Sequence, residues 1–203
     1  MPPALAAPTR PMPRDPSDRT EPPYSQWCRR IARGDARAFE SLFRALHPPL
    51  IRFAGSLGES AAVADDLVQE AFVRLWDRRA RLDPARSVRA LLYRTVRNLA
   101  LNQMRDHASR QEKLAGLAAD APSPVLQPDA LAEAAGTQAR LHAWVDALPD
   151  RQREALRLTR FEGLSHEEAA EVMGVSPRTV NNHLVRALRT LRHQMDRFDP
   201  PSA

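Results

Sequence analysis

Apolar residues recur at helical spacing along two stretches of the chain, residues 24–111 and residues 140–198. Residues 1–23 hold eight of the eighteen prolines and lack this pattern, which predicts a disordered tail. Residues 112–139 are rich in Ala, Pro and Asp, and they predict a flexible linker. The pattern therefore predicts an all-α chain in which two small helical domains, each with its own core, are joined by a flexible linker.

The first stretch predicts several helices separated by short breaks. One break is expected at Gly34–Asp35, and a second at His47-Pro48-Pro49, because proline removes a backbone donor. Asp65–Arg78 is predicted to be a helix with one buried face. Leu82–Arg86, which contains a proline, is predicted to be a loop.

Ser87 is predicted to cap the next helix, which runs to about His107. The positions expected to be buried on this helix are Val88, Leu91, Leu92, Val96, Leu99 and Gln103. Arg94, Asn98 and Arg105 fall on the opposite side. Between Arg86 and Arg110 there are six Arg and one acid, so this helix presents a basic surface.

The second stretch ends in a helix-turn-helix pattern. Ser165 and Glu168 have the spacing of a capping box at the start of its first helix. Gly174 is placed to end that helix in the left-handed conformation. Ser176 then caps a second helix that has Pro177 at its first position. A helix, a short turn containing Gly and a second capped helix occur in this order in DNA-binding proteins.

The second helix of this motif has two distinct faces. The apolar face is predicted to be buried and consists of Val180, Leu184, Ala187, Leu188, Leu191 and Met195. The polar face carries Arg178, Asn182, Arg186 and Arg189, with Asn181 and His183 beside them. Asn and Arg form the bidentate hydrogen bonds that distinguish adenine and guanine in the major groove. A charge run alone would favour a solvated helix face, but together with the caps and the turn it favours DNA binding.

Charge and composition agree with a nucleic-acid partner. The 203-residue chain has a formal net charge of +5, and Lys113 is its single lysine, so the positive charge is almost entirely Arg. Arg binds phosphate and base edges in bidentate fashion. The lone Cys28 excludes a disulfide framework, and the His spacing matches no metal site. Neither a signal peptide nor a membrane-spanning run is evident, so a cytoplasmic protein is expected.

Two motifs resemble bacterial RNA polymerase sigma factors of the small extracytoplasmic-function (ECF) group. D66-L-V-Q-E-A-F-V-R-L-W76, followed by A90-L-L-Y-R-T-V-R-N-L-A-L-N102, resembles sigma region 2. L148-P-D-R-Q-R-E-A-L-R-L and the helix-turn-helix resemble region 4. The resemblance covers roughly residues 24–110 and 141–195. It implies a region 2 domain at 24–111 and a region 4 domain at 140–198.

The resemblance also implies roles for individual residues. The polymerase-docking surface would comprise Asp66, Gln69, Glu70 and Arg74. The −10 promoter element would be bound by Arg86, Ser87, Arg94, Arg97, Asn98 and Arg105, with the 82–87 loop enclosing a flipped base. The −35 element would be bound by Arg178, Thr179, Asn181, Asn182, His183, Arg186 and Arg189.

Some positions depart from the family pattern. Leu91 stands where the family commonly has Trp, which leaves little aromatic stacking for the opened strand and predicts stringent promoter choice. Pro84 replaces a common Gly in the loop, which affects the shape of the base pocket. Asn181 and Asn182 stand where Arg and Ser are frequent, which favours adenine over guanine at the corresponding −35 positions.

The partners that the resemblance implies are core RNA polymerase, promoter DNA and an anti-sigma factor, often membrane-anchored in this family, that clamps both domains. The linker composition favours no fixed spacing, so the chain alone is expected to be an extended monomer. Catalytic residues, cofactors, metal ions and a small-molecule substrate are not expected, because no catalytic or ligating constellation occurs in the sequence. Two alternatives remain: a stand-alone helix-turn-helix regulator of the LuxR-like kind, and a helical interaction protein that sequesters a regulator.

Overall fold

A computed structural model describes residues 23–115 and 137–198, and these residues form helices and turns. Their α-helices are α1 (Tyr24–Ile31), α2 (Ala36–Ser56), α3 (Ala61–Asp77), α4 (Val88–Ala115), α5 (Thr137–Asp146), α6 (Asp150–Leu156), α7 (His166–Met173) and α8 (Pro177–Phe198). A 3₁₀ turn at Arg79–Arg81 follows α3, and a π-helical turn at Arg157–Phe161 follows α6. The all-α fold class is confirmed. The predicted disordered tail lies outside the described residues except for Pro23.

The break between α1 and α2 is where the sequence predicts it. Gly34 adopts a φ of 84°, in the left-handed region that favours glycine. Asp35 then caps α2, and its carboxylate accepts hydrogen bonds from the N–H groups of Arg37 and Ala38. These bonds satisfy donors that the first turn of a helix leaves without partners.

The predicted interruption at Pro48-Pro49 is wrong, because α2 continues through both prolines to Ser56. Each proline removes a helical hydrogen bond, at a cost of about 3 kcal/mol in a helix interior. Leu46, Leu50 and Phe53 are buried on one face on either side of the prolines. Fully burying side chains of this size contributes roughly 1.5–3 kcal/mol each, which offsets the cost of a continuous helix.

The next two helices are both longer than the sequence indicated. Ser60 caps α3, which therefore begins four residues before the predicted start at Asp65. Ser87 caps α4 as predicted, and its hydroxyl accepts a hydrogen bond from the N–H of Ala90. Helix α4 continues to Ala115, into the segment predicted as the linker. Residues 116–136, the greater part of that segment, lie outside the described residues.

The helix-turn-helix forms as the sequence predicts. Both hydrogen bonds of the Ser165–Glu168 capping box are present at the start of α7. Gly174 ends α7 with a φ of 67°. The Ser176 hydroxyl accepts a hydrogen bond from the N–H of Thr179 and so caps α8.

The apolar stripe of α8 is only partly buried. Val180, Leu184, Ala187 and Leu191 are buried, whereas Leu188 and Met195 are exposed, contrary to the prediction. The predicted stripe was too wide, because α7 and α6 cover only one side of α8.

The two halves of the chain pack against each other in this structure, which differs from the extended arrangement expected. Helix α7 lies directly on α4. Buried apolar residues of both halves join in one cluster that runs from Ile31 and Leu92 to Leu158 and Met173. A second, smaller cluster holds α5, α6 and α8 together around Val145, Leu148, Leu156, Leu184, Ala187 and Leu191. No helix within the described ranges is long and apolar enough to cross a membrane.

Candidate nucleic-acid interface

The surface of α3 carries the predicted docking residues side by side. Asp66, Gln69, Glu70 and Arg74 are all exposed, while Leu67 and Phe72 on the other face are buried. Glu70 forms an i,i+4 ion pair with Arg74 at 2.7 Å. This surface is thus a mixed-charge helix face that does not contribute to the core.

The polar face of α8 is also accessible. Exposed side chains at the predicted positions are Arg178, Asn181, Asn182, Arg186 and Arg189, and those of Thr179 and His183 are partly exposed. The Thr179 hydroxyl lies 2.8 Å from the Ser176 hydroxyl, so it is engaged in the helix cap. The remaining Arg and Asn side chains supply the donors and acceptors needed to read base edges.

The 82–87 loop and α4 together line a cavity of about 170 Å³. The cavity is bounded by Cys28, Arg81, Leu82, Asp83, Arg86, Ser87, Val88, Leu91, Arg94 and Glu171. Burial raises the pKa of the Cys28 thiol, and the nearby Asp83 raises it further. Cys28 therefore contributes a neutral thiol to the cavity wall.

A second, open cavity of about 220 Å³ lies between α3 and α4. Asn98, which is exposed, contributes to its wall together with Arg94. Arg105 lies further along α4, where its guanidinium donates to Asn102 and to the carbonyl of Leu101. Four of the predicted −10 residues therefore line two neighbouring cavities, with Arg94 shared between them. Arg97 and Arg105 lie apart from both, and Arg97 faces α6, where it pairs with Glu154.

Acidic side chains from the second half of the chain contact this basic surface. Glu171 of α7 lies 2.9 Å from the guanidinium of Arg86 and 3.4 Å from that of Arg94. The Ser87 hydroxyl donates a hydrogen bond of 2.6 Å to Glu168. Glu168 thus serves both the α7 capping box and the contact between the halves. Four acids of the second half contact the first half, and we call them the interface glutamates: Glu154, Glu162, Glu168 and Glu171.

The other two interface glutamates, Glu154 and Glu162, are more buried than Glu168 and Glu171. Glu154 of α6 pairs with Arg97 through a direct contact, and only 10% and 13% of the two side chains are exposed. Glu162 accepts a hydrogen bond of 2.9 Å from the hydroxyl of Tyr93, which is fully buried. Burial, followed by the charge of Glu162, raises the pKa of Tyr93 well above its usual range, so the phenol remains a donor.

Sequence reasoning missed several residues of this contact surface. Arg89 of α4 donates to the backbone carbonyls of Glu162 and Gly163, ahead of α7. Arg157 donates to the carbonyl of Ser56 at the end of α2. The one signal present in the sequence was the charge contrast between the acidic α7 and the basic α4.

Each half of the chain matches a known protein family. The family "Sigma-70 region 2" matches residues 42–110, and the family "Sigma-70, region 4" matches residues 138–191. The first match includes α3, the 82–87 loop and most of α4, and the second includes the helix-turn-helix.

Similar proteins, and a similar solved structure, are also described as sigma factors. CnrH of Cupriavidus metallidurans, an RNA polymerase sigma factor, is 33% identical over 81% of this chain and 90% of its own length. The probable sigma factor RfaY of Xanthomonas campestris is also 33% identical, over 83% of this chain and 43% of RfaY. The ECF sigma factor EcfG of Rhodopseudomonas palustris is 34% identical over 69% of this chain and 75% of EcfG. The structure of the sigma factor RpoE in complex with the anti-sigma factor NepR from Bartonella quintana matches with a TM-score of 0.61 and 25% identity, over 78% of this chain and 96% of that one.

The chain belongs to the sigma-70 family of RNA polymerase sigma factors, in its ECF group. The family match to both regions decides against the LuxR-like regulator and the sequestering protein, neither of which accounts for region 2. Members of this family are transcription initiation factors rather than classical enzymes. Within the described part of the chain, no cluster of His, Cys, Asp and Glu is arranged to hold a metal ion.

Proposed function

We propose that this sigma factor docks on core RNA polymerase through the exposed face of α3 and directs it to promoters. Asp66, Gln69, Glu70 and Arg74 form the docking contacts. The proposal is supported by their exposure on a helix whose other face is in the core, because side chains there can contact a partner without any change in core packing.

Promoter reading is divided between the two halves. The outer face of α8 reads the −35 duplex through Arg178, Asn181, Asn182, His183, Arg186 and Arg189, with Thr179 at the cap. On α4 and its loop, Arg86, Ser87, Arg94, Arg97 and Arg105 hold the −10 strand while Asn98 reads an unpaired base. Catalysis, cofactors and small-molecule substrates have no part in this role, since the polymerase supplies the chemistry.

An anti-sigma factor is the proposed regulator. RpoE, which resembles this chain over both regions, was solved in complex with one. We extend that kind of partner to this chain, and we place the chain in the cytoplasm with the polymerase. The proposal also includes membrane anchoring of the anti-sigma factor, with its sigma-binding part on the cytoplasmic side.

Transcription with purified components tests the proposed function. Core polymerase together with this chain should give a specific transcript from a promoter fragment, and neither should do so alone. Binding to that duplex by the chain alone, without any transcript when polymerase is added, would contradict a sigma activity. The expected transcript rests on one observation, the exposure of the proposed docking face of α3.

Replacing Arg186 by Ala should weaken −35 recognition by about 1–3 kcal/mol if its guanidinium is bidentate to guanine. Selectivity at one base pair should relax while other positions are unchanged. The measurement is competition between −35 duplexes that differ at single positions. Arg192→Ala, which changes another exposed Arg on the same helix, is the matched control.

Two other results for Arg186→Ala are distinguishable. A uniform loss over all sequences, with a salt slope reduced by about one, would make this contact a phosphate contact. Unchanged binding would place Arg186 on the solvated face and would contradict the assigned orientation of α8.

A further inference from the structure

We propose that Asp65 and His47 position the side-chain amide of Gln69, so that the docking face offers the polymerase a hydrogen-bond acceptor at this point. The inference rests on the proposed role of Gln69 in docking, and it adds the chemistry of that contact. Asp65 and His47 lie outside the proposed docking residues, so their effect on the polymerase passes through Gln69. We call these three residues the Gln69 network.

Both carboxylate oxygens of Asp65 are engaged in the Gln69 network. Oδ2 accepts a hydrogen bond of 2.6 Å from Nε2 of Gln69, one turn further along α3. Oδ1 lies 3.1 Å from Nε2 of His47, which belongs to α2. Asp65 therefore connects the docking face of α3 to the neighbouring helix.

The carboxylate of Asp65 determines which end of the Gln69 amide faces it. An ionised carboxylate only accepts hydrogen bonds, whereas a side-chain amide has an NH2 donor at one end and a carbonyl acceptor at the other. The NH2 end must therefore face Asp65, which turns the carbonyl oxygen Oε1 away from it. Gln69 is exposed, and its Oε1 accepts no hydrogen bond from the described part of the chain. This oxygen is thus available to a partner.

Aromatic packing holds His47 in position for its contact with Asp65. The centroid of its ring lies 4.5 Å from that of Phe43, and the Phe43 centroid lies 4.8 Å from that of the buried Phe72. Nε2 of His47 carries a proton, because the carboxylate that it faces can only accept one. The side chain of Asp65 is 41% exposed and would rotate by itself, but the fixed imidazole donor restricts it to the orientation that reaches Gln69.

The neighbours of Gln69 on the docking face indicate the kind of group that its Oε1 binds. Arg74 pairs with Glu70 at 2.7 Å, whereas the exposed Asp66 forms no ion pair with the described residues. Oε1 therefore adds an acceptor next to a carboxylate that a partner can still neutralise. Arg and Lys side chains carry only donors, so they satisfy both groups. We therefore expect a basic side chain of the polymerase opposite Gln69.

A double-mutant cycle tests whether Asp65 acts through Gln69. Fluorescence anisotropy of the labelled full chain measures affinity for core polymerase in Asp65→Ala, in Gln69→Ala and in the double variant. Asp65→Ala should weaken binding about fivefold, the effect of one hydrogen bond, and should have no further effect in the Gln69→Ala background. Asp77→Ala removes an exposed carboxylate from the same helix outside the docking face, so this matched control should bind like wild type.

An exchange of carboxylate and amide between positions 65 and 69 is the second measurement. Gln69→Glu sets two carboxylates against each other and should weaken binding about fivefold, because the displaced side chain no longer makes its contact. Adding Asp65→Asn restores the hydrogen bond in the opposite direction, since the new amide donates to the new carboxylate and its oxygen still accepts from His47. An oxygen again faces the polymerase, so binding should become tighter than in Gln69→Glu alone. The exchange also tests the inference if Asp65→Ala does not fold.

His47→Phe tests the other end of the Gln69 network. The substitution keeps a ring against Phe43 but removes the donor to Asp65. It should weaken polymerase binding in the wild-type background and leave the affinity of Gln69→Ala unchanged. Wild-type affinity of His47→Phe would overturn the role of His47.

The outcomes separate the inference from the proposed function. Wild-type affinity of Gln69→Ala would contradict the docking role of Gln69, and the inference would fail with it. Weaker binding by Gln69→Ala but not by Asp65→Ala would overturn the positioning role alone. An Asp65→Ala effect that persists in the Gln69→Ala background, or that Asp77→Ala reproduces, would also overturn it, because Asp65 would then act by its charge. Failure of Asp65→Asn to strengthen binding by Gln69→Glu would overturn the assignment of an outward acceptor.

Discussion

Replacing Glu70 by Lys together with Gln69 by Ala should abolish co-purification with core polymerase. Both side chains are exposed on α3, away from the buried Leu67 and Phe72, so the core should be unaffected. Glu70→Lys exchanges an i,i+4 attraction to Arg74 for a repulsion, which costs only a few tenths of a kcal/mol. Helicity by circular dichroism should therefore be unchanged while transcription is lost.

Glu40→Lys is a closely matched control for this experiment. Glu40 forms the same i,i+4 pair with Arg44, at 2.6 Å, on the exposed face of α2. The control thus carries the same charge change and the same local repulsion on a different helix. Co-purification should persist in Glu40→Lys. Normal transcription by the α3 double variant would show that the polymerase docks elsewhere.

Local sequence signals are sufficient to predict where the helices of the proposed DNA-binding surfaces begin. The capping box at Ser165, the left-handed Gly174 and the caps at Ser87 and Ser176 each form as expected. These signals act within one or two helical turns, and their energies do not depend on the rest of the fold. They therefore predict from the sequence alone where α4, α7 and α8 begin.

Signals that depend on tertiary packing were not readable in the same way. The prolines at 48 and 49 predict a break, yet the buried Leu46 and Leu50 keep α2 continuous. Periodicity marks which face of α8 is apolar but not how much of it a neighbour covers, so the exposure of Leu188 was missed.

The contact between the halves depends on pairs that are far apart in the sequence. Glu154 and Arg97 are 57 positions apart, and Glu162 and Tyr93 are 69 positions apart. An acidic helix and a basic helix can each be solvated separately, so their charge contrast alone does not predict that they meet. Burial of the pairs is the decisive observation, and only the folded chain provides it.

Asn98→Ala is expected to block promoter opening while leaving the chain folded. Asn98 is exposed on α4 at the edge of the cavity between α3 and α4, so its removal leaves no buried group unpaired. Ala is the better helix former, so a purely structural role predicts a neutral or slightly stabilising change. If Asn98 reads an unpaired −10 base, the variant should bind polymerase and the −35 duplex normally but fail to form the open complex.

Permanganate reactivity of unpaired thymines distinguishes these roles. The variant should show weak reactivity on a double-stranded promoter, and it should partly recover on a template already mismatched across the −10 region. The mismatch removes an unpairing cost of a few kcal/mol, which is the energy that base capture would otherwise supply. Gln26→Ala, which removes an exposed side-chain amide from α1, is the control and should open both templates. Equal reactivity of Asn98→Ala and wild type on the duplex promoter would instead place base reading in the 82–87 loop, where Ser87 and Arg86 become the residues to replace.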